Sequence, residues 1–381
     1  MIARPPGVVA ILACVLLAAT NGMPSGSADK WQQASPGRRI SLPGDHRSHP
    51  EYRIEWWYYT GTLHAREDGR RFGYQLTFFR IGVNVEPPTP SRWAVRDLHM
   101  AHFAITDVEA ARHVATERLN RSGPGWAGAS ETTYRVWNET WFAQLEGTEH
   151  RLSASDPGSG LAIELRLREG RSPVRHGIDG FSQKGSSPGN ASYYYSITRM
   201  PTEGTLTVGG RTHEVTGTSW MDHEFGTTFL ERNQAGWDWF SVQLADGRDL
   251  MVFQLRNRDG SSDARSSGTL VSREGARPLD ANDIRLEPLR RWKSPSSGAS
   301  YPVEWRVALP REDLRLHVRA VIDAQELHGL PSGVTYWEGA VDIEGESRGA
   351  PASGVGYLEM TGYGGRPMGE VMSSNGGLDG R

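Results

Sequence analysis

The stretch Leu161-Ala162-Ile163-Glu164-Leu165-Arg166-Leu167-Arg168 decides the fold class. Its apolar and polar residues alternate with a period of two, so the leucines and Ile163 share one face of an extended strand. Phe72, Tyr74, Leu76 and Phe78 repeat the pattern on the second arm of a hairpin. The first arm runs from Ile54 to His64, and Asp68-Gly69 supplies the turn. Leu314, Leu316 and Val318 repeat it late in the chain, and Gly209-Gly210 marks another tight turn. No long segment carries the helical period. The sequence therefore predicts an all-β protein.

The pattern also recurs on a larger scale. Trp57-Tyr58 leads through Asp68-Gly69-Arg70 to Gln75-Leu76, and Trp239-Phe240 leads through Asp246-Gly247-Arg248 to Gln254-Leu255. Each half then closes on a related block. Glu203-Gly204 precedes Trp220-Met221-Asp222, and Glu338-Gly339 precedes Tyr357-Leu358-Glu359, the second copy needing a two-residue insertion. We read two copies of one β unit, residues 45–226 and 234–366, followed by a flexible tail at 367–381. Each copy has about the length of an eight-stranded barrel able to enclose a small apolar ligand. A pair of solid β-sandwiches satisfies the same composition.

The 381 residues carry a net charge of −3 with acids and bases interspersed, so nucleic acid is not an expected partner. Arg4 followed by the apolar run Val8–Ala19 reads as an export signal over residues 1–28, with a polar linker over 29–44. The protein is thus expected in the periplasm or outside the cell. The single cysteine, Cys14, lies inside that signal. Either it leaves with the signal, or it carries lipid and ties the protein to a membrane. On both readings the folded part has no disulfide and no thiol nucleophile.

Two clusters hold residues suited to chemistry. The first is Trp220-Met221-Asp222-His223-Glu224-Phe225-Gly226, followed by Gly236-Trp237-Asp238-Trp239-Phe240. On a strand Asp222 and Glu224 share one face and His223 takes the other. Such groups are costly to bury unless paired, and an acidic neighbour favours imidazolium. A solvated strand end between domains is the plain alternative. The second cluster is Glu55-Trp56-Trp57-Tyr58-Tyr59, where a carboxyl among aromatics could have a raised pKa and give up a proton. Alternatively Glu55 pairs with an arginine and the aromatics fill a core.

Asp45-His46 and His49 invite a metal reading, but ligands must converge from a further segment. His99 and His102 face opposite ways on a strand and cannot chelate together. No metal site and no cofactor are expected. Gly185-Ser186-Ser187-Pro188-Gly189 matches the nucleophile-elbow spacing without its strand–turn–helix context.

These clusters carry a family resemblance. Asp45-His46, His49-Pro50-Glu51-Tyr52-Arg53-Ile54-Glu55-Trp56-Trp57-Tyr58, Asp222-His223-Glu224-Phe225-Gly226, Trp237-Asp238-Trp239 and Gly362-Tyr363-Gly364-Gly365 resemble the AttH-like, carotenoid 1,2-hydratase family over about residues 40–366. That resemblance implies two tandem lipocalin-like β-barrel domains. It also implies a hydro-lyase that adds water to a C=C bond of a hydrophobic, isoprenoid or carotenoid-like substrate. Protonating an isolated alkene needs a strong acid, and the cation that follows needs aromatic faces in a dry pocket. The resemblance assigns proton handling to His223 with Asp222, and a second acid to Glu55. It assigns substrate contact to Trp56, Trp57, Tyr59, Trp220, Trp237 and Trp239. Phe225 stands where the hydratases carry another aromatic, and no Tyr-x-Asp is found around Met251–Gln254.

Two other functions fit the same residues. One is a non-catalytic carrier of a small hydrophobic ligand. The other is a secreted hydrolase using Ser187, for which no triad is evident.

Overall fold

Alternation in the sequence becomes alternation in burial. Along Leu161–Arg168 the residues Leu161, Ile163, Leu165 and Leu167 are buried, while Glu164, Arg166 and Arg168 are exposed. The computed structural model describes residues 31–87, 89–364 and 367–369. The segment read as an export signal, Cys14 included, lies outside them. Among the described residues no helix is long and apolar enough to cross a membrane.

The strands form two sheets. The first has thirteen strands drawn from residues 54–226. At its centre Ile54–Ala65 pairs with Arg71–Gly82 on one side and Arg211–Gly226 on the other. Its two ends curl together and are joined by side chains: Asn138 Nδ2 donates to the carbonyls of His99 and Arg118. The result is a nearly closed barrel. The second sheet has ten strands drawn from residues 234–360 and forms a half-barrel. Its centre repeats the first: Gln234–Leu244 lies between Asp249–Asn257 and Ala350–Met360.

Both opening hairpins use the same turn. Gly69 and Gly247 take φ of 75° and 90°, where a side chain is strained. Asp68 and Asp246 each accept the amide two residues on, from Arg70 and Arg248. The closing half of the sequence repeat is out of register, however. Asp222 lies opposite Ser196, whereas Glu359 lies opposite Glu338. Glu203, matched to Glu338 in the sequence, is exposed while Glu338 is buried. The opening half is also shifted by one. Tyr58 faces Asp222 across the ladder and Trp239 faces Glu359, so Tyr58 is the counterpart of Trp239. Strand period is two, so this single step moves Trp57 to the opposite face.

The central strands are buried on both sides, which is why their sequences read as apolar runs. Trp57, Tyr59 and Leu63 point into the first barrel, while Ile54 and Tyr58 point toward the second sheet. The sheets meet closely at Gly73, where a Cβ would stand 2.8 Å from that of Ala340. Arg71 pairs with Asp342 beside this contact, at 2.6 Å. One terminal expectation is corrected. The segment from residue 31 is no free linker, since Ala34 and Ile40 are buried in the first barrel's core. At the other end Met368 packs against the aromatic cluster between the sheets, and the rest of the expected tail, residues 370–381, lies outside the described residues.

Candidate active site

The central strands have two buried faces, so consecutive residues enter different compartments. Asp222 and Glu224 enter a cavity between the two sheets; His223, between them, enters the first barrel.

The cavity has a volume of about 230 Å³, and its wall is mostly apolar. Trp56 and Tyr58 come from the first sheet, Trp237, Trp239 and Phe253 from the second. Tyr58 and Trp239 meet edge to face at 5.2 Å. Trp220 packs behind Trp239 at 6.2 Å. Four carboxyls enter this wall: Asp222, Glu224, Glu338 and Glu359.

Their environments differ. Glu224 is paired with Lys184 at 3.0 Å and accepts from Ser192 Oγ. Asp222 is fully enclosed, and burial raises it to about 7 although Ser196, Tyr194 and Trp220 all donate to it. Trp239 Nε1 donates to Tyr194 Oη at 2.9 Å, which completes a chain Trp239–Tyr194–Asp222. Burial likewise lifts Glu359 to about 7 against a hydrogen bond from Trp237 Nε1. Glu338 is held well above the carboxylate range by burial and by the charge of Glu359. The phenols of Tyr58 and Tyr336 face it, yet no bond of ordinary geometry reaches either of its oxygens. Burial there favours the protonated form of the carboxyl. The site therefore sets three carboxyls with raised pKa and a group of aromatic rings around one mostly apolar space.

The proton-handling pair expected from the sequence is not assembled. His223 Nε2 donates to Glu55 Oε1 at 3.0 Å inside the barrel, its Nδ1 meets Tyr195 Oη at 2.9 Å, and Trp57 stacks on its ring. Burial lowers His223 to about 4 in spite of Glu55, so it is neutral rather than imidazolium. Glu55 is not a raised acid either. Burial opposes its charge, but bonds from His223 and His49 and the charges of His49 and Arg80 hold it well below the usual range. Arg80 Nε stands 3.1 Å from Glu55, which is the arginine pairing the sequence left open. Trp57 and Tyr59 likewise belong to the barrel core.

Of the expected contact residues, Trp56, Trp237 and Trp239 line the cavity with Asp222, and Trp220 supports it. Glu338, Glu359, Tyr58 and Tyr194 were missed. The signal for Glu359 was present, because Tyr357-Leu358-Glu359 repeats the aromatic–apolar–acid order of Trp220-Met221-Asp222. His99 and His102 do face opposite ways: His102 lines the cavity and bonds Tyr336 Oη at 2.6 Å, whereas His99 sits on the barrel side near Arg80. Ser187 lies on an exposed loop whose amides cap Glu231, and no histidine is among its described hydrogen-bond partners.

The sequence profile described as AttH-like matches residues 33–363. Among solved structures, the chain is similar to an AttH from Nitrosomonas europaea at 32% identity and a TM-score of 0.78. That match covers 87% of this chain and 99% of the other. Kievitone hydratase from Nectria haematococca is similar in fold at 14% identity and a TM-score of 0.66, covering 87% and 95%. The nearly closed barrel and the half-barrel described above, a fold shared with that protein, are consistent with two lipocalin-like barrel domains. No curated protein sequence matches the chain.

Proposed function

The chain belongs to the AttH-like family, and on that premise we propose that it is a hydratase acting in the cavity between the two sheets. The reaction is addition of water across a C=C bond of an apolar, isoprenoid-like substrate. The observation that carries this reading is Glu338, a buried acid held well above the carboxylate range, with unsatisfied oxygens in an aromatic-walled space. Glu338 gives its proton to one alkene carbon. The other carbon becomes a cation, held against the faces of Trp56, Trp237 and Trp239. Water adds to that cation, and Asp222 takes the proton the water sheds. Glu359 stands opposite Glu338 on the neighbouring strand and interacts with Asp222, so it is placed to return the proton to Glu338. Atoms balance: the alkene gains one H and one OH, and the protein ends as it began.

At about 230 Å³ the cavity is below the roughly 300–1,000 Å³ of common ligand sites. It suits one prenyl-like end of a substrate rather than a whole long polyene. A carotenoid would react only at its tip. The place of action, beyond the cytoplasmic membrane, is proposed from the apolar run Val8–Ala19. Lipid on Cys14 would hold the protein at the membrane where such substrates dissolve.

The test is incubation of the purified protein with short acyclic prenyl alkenes and with an acyclic carotenoid, in water labelled with heavy oxygen. Mass spectrometry should find a product heavier by one labelled water. Unchanged alkene co-eluting with the wild type and with Glu338→Gln alike would replace the hydratase by a carrier.

A further inference from the structure

A second set of ionisable groups lies inside the first barrel, away from the cavity between the sheets. His46 Nε2 and His150 Nε2 both approach Glu169 Oε1, at 3.6 and 3.4 Å. His46 ends the 3-10 helix Gly44–His46, His150 is the second residue of the strand Glu149–Asp156, and Glu169 follows Leu161–Arg168. Three segments thus supply ligands where the sequence offered one. Both histidines are buried, while the Glu169 side chain is 32% exposed, so the group opens toward solvent.

Spacing distinguishes this group from its neighbour. His49, Glu55 and His223 also converge, but at 2.8 and 3.0 Å, which is hydrogen-bond distance. Arg80 neutralises Glu55 there. In the His46 group the separations exceed a good charge-assisted hydrogen bond. They match the edge of a tetrahedron whose ligands lie about 2.0–2.1 Å from a central ion, roughly 3.3 Å.

Proton counting gives the same answer. Glu55 is ionised and only accepts, so His223 uses its Nε2–H there, and neutral His223 must accept at Nδ1. The donor is Tyr195 Oη at 2.9 Å, closer than its other acceptor, the Asp45 carbonyl at 3.4 Å. With its one hydrogen committed, Tyr195 can only accept from His46 Nδ1, 2.7 Å away. His46 then donates from Nδ1, and on the neutral ring the Nε2 lone pair faces the carboxylate of Glu169. Two acceptors face each other across a gap sized for a cation. A metal-ligating histidine that donates its other N–H to an oxygen is the usual supporting arrangement. His150 Nδ1 lies 2.9 Å from Tyr59 Oη, an oxygen in position to give it the same support.

The geometry points to a divalent first-row transition-metal site built from His46, His150 and Glu169, with its remaining coordination open toward the barrel mouth. It is independent of the hydratase reading, since it concerns a different compartment.

The experiment is titration of metal-stripped protein with Co²⁺, followed by visible absorption, with Zn²⁺ added to displace it. The expected result is one saturable equivalent with the spectrum of a four- or five-coordinate ion. Glu169→Ala, at a partly exposed position, should weaken binding at least tenfold without lowering the unfolding midpoint in chelator. If that variant is poorly folded, Glu169→Gln takes its place. Glu67→Ala, at the His213–Glu67 pair outside both sites, should leave binding unchanged. No saturable uptake, or equal uptake by wild type and both Glu169 variants, overturns the site; the gap then holds a proton on His46 instead.

Discussion

Asp222 and His223 are neighbours in the chain and occupants of different compartments. Asp222 receives Trp220 Nε1 at 2.6 Å beside the cavity, while His223 reaches Glu55 at 3.0 Å inside the barrel. The strand that carries both is a wall with the proposed site on one side and an ion-pair network on the other. That division sets what each substitution should do.

Glu338→Gln keeps the shape of the side chain and removes its proton. On the mechanism above it should lower kcat by about 10²–10⁴-fold, the usual contribution of a positioned acid. Substrate binding should persist, read by quenching of cavity tryptophan fluorescence. Loss of binding with intact turnover per bound substrate would show that Glu338 only shapes the wall.

Turnover needs Asp222 ionised, so kcat/KM should rise as pH passes through about 7. Asp222→Asn should remove that limb and most of the rate. Stability runs the other way. The fold favours the neutral carboxyl, so its contribution is complete below the unfolded value of 3.8 and lost as pH climbs through about 7. The full difference is of order 4 kcal/mol at roughly 1.4 kcal/mol per pKa unit. The midpoint of thermal unfolding should therefore fall less steeply between about pH 4 and pH 8 in Asp222→Asn than in the wild type. Parallel curves would contradict the burial of Asp222.

Two tryptophans separate the compartments. Trp239→Phe loses the bond to Tyr194 and a cation-stabilising face, and should reduce the rate by about tenfold or more. Trp57→Phe leaves the cavity intact but removes a buried ring that stacks on His223 and bonds the His46 carbonyl. It should cost about 1–3 kcal/mol in denaturant unfolding with little change in rate per folded molecule.

Arg80 is buried and holds Glu55 and Asp97 at 3.1 and 3.0 Å. Arg80→Met removes the cation that two enclosed carboxylates share, which should cost about 3–5 kcal/mol. Urea unfolding checks it, and a loss under 1 kcal/mol would place solvent at Glu55.

The fold was legible because half-buried strands announce themselves by period. Leu161–Arg168 and the turns at Asp68-Gly69 and Asp246-Gly247 needed no tertiary information. The candidate site was half legible. Asp222, Trp56, Trp237 and Trp239, which line the cavity, stood out because acids and aromatics cluster in the chain. Glu338 and Glu359 were not assigned, because their burial comes from a sheet-to-sheet contact that no local pattern encodes. The pairing of Asp222 with His223 failed for a simpler reason. Alternation had already put them on opposite faces, and only the double burial of the strand shows that both faces matter. His46, His150 and Glu169 are spread over more than a hundred residues, so their meeting is a property of barrel closure.

The central claim is that reaction occurs between the sheets and not inside the barrel. Single-turnover product formation from a short prenyl alkene, compared for Glu338→Gln and His223→Gln, tests it most directly. Labelled-water product is expected from folded His223→Gln at close to the wild-type rate and none from Glu338→Gln. Product from Glu338→Gln with none from folded His223→Gln would contradict it and move the chemistry into the barrel.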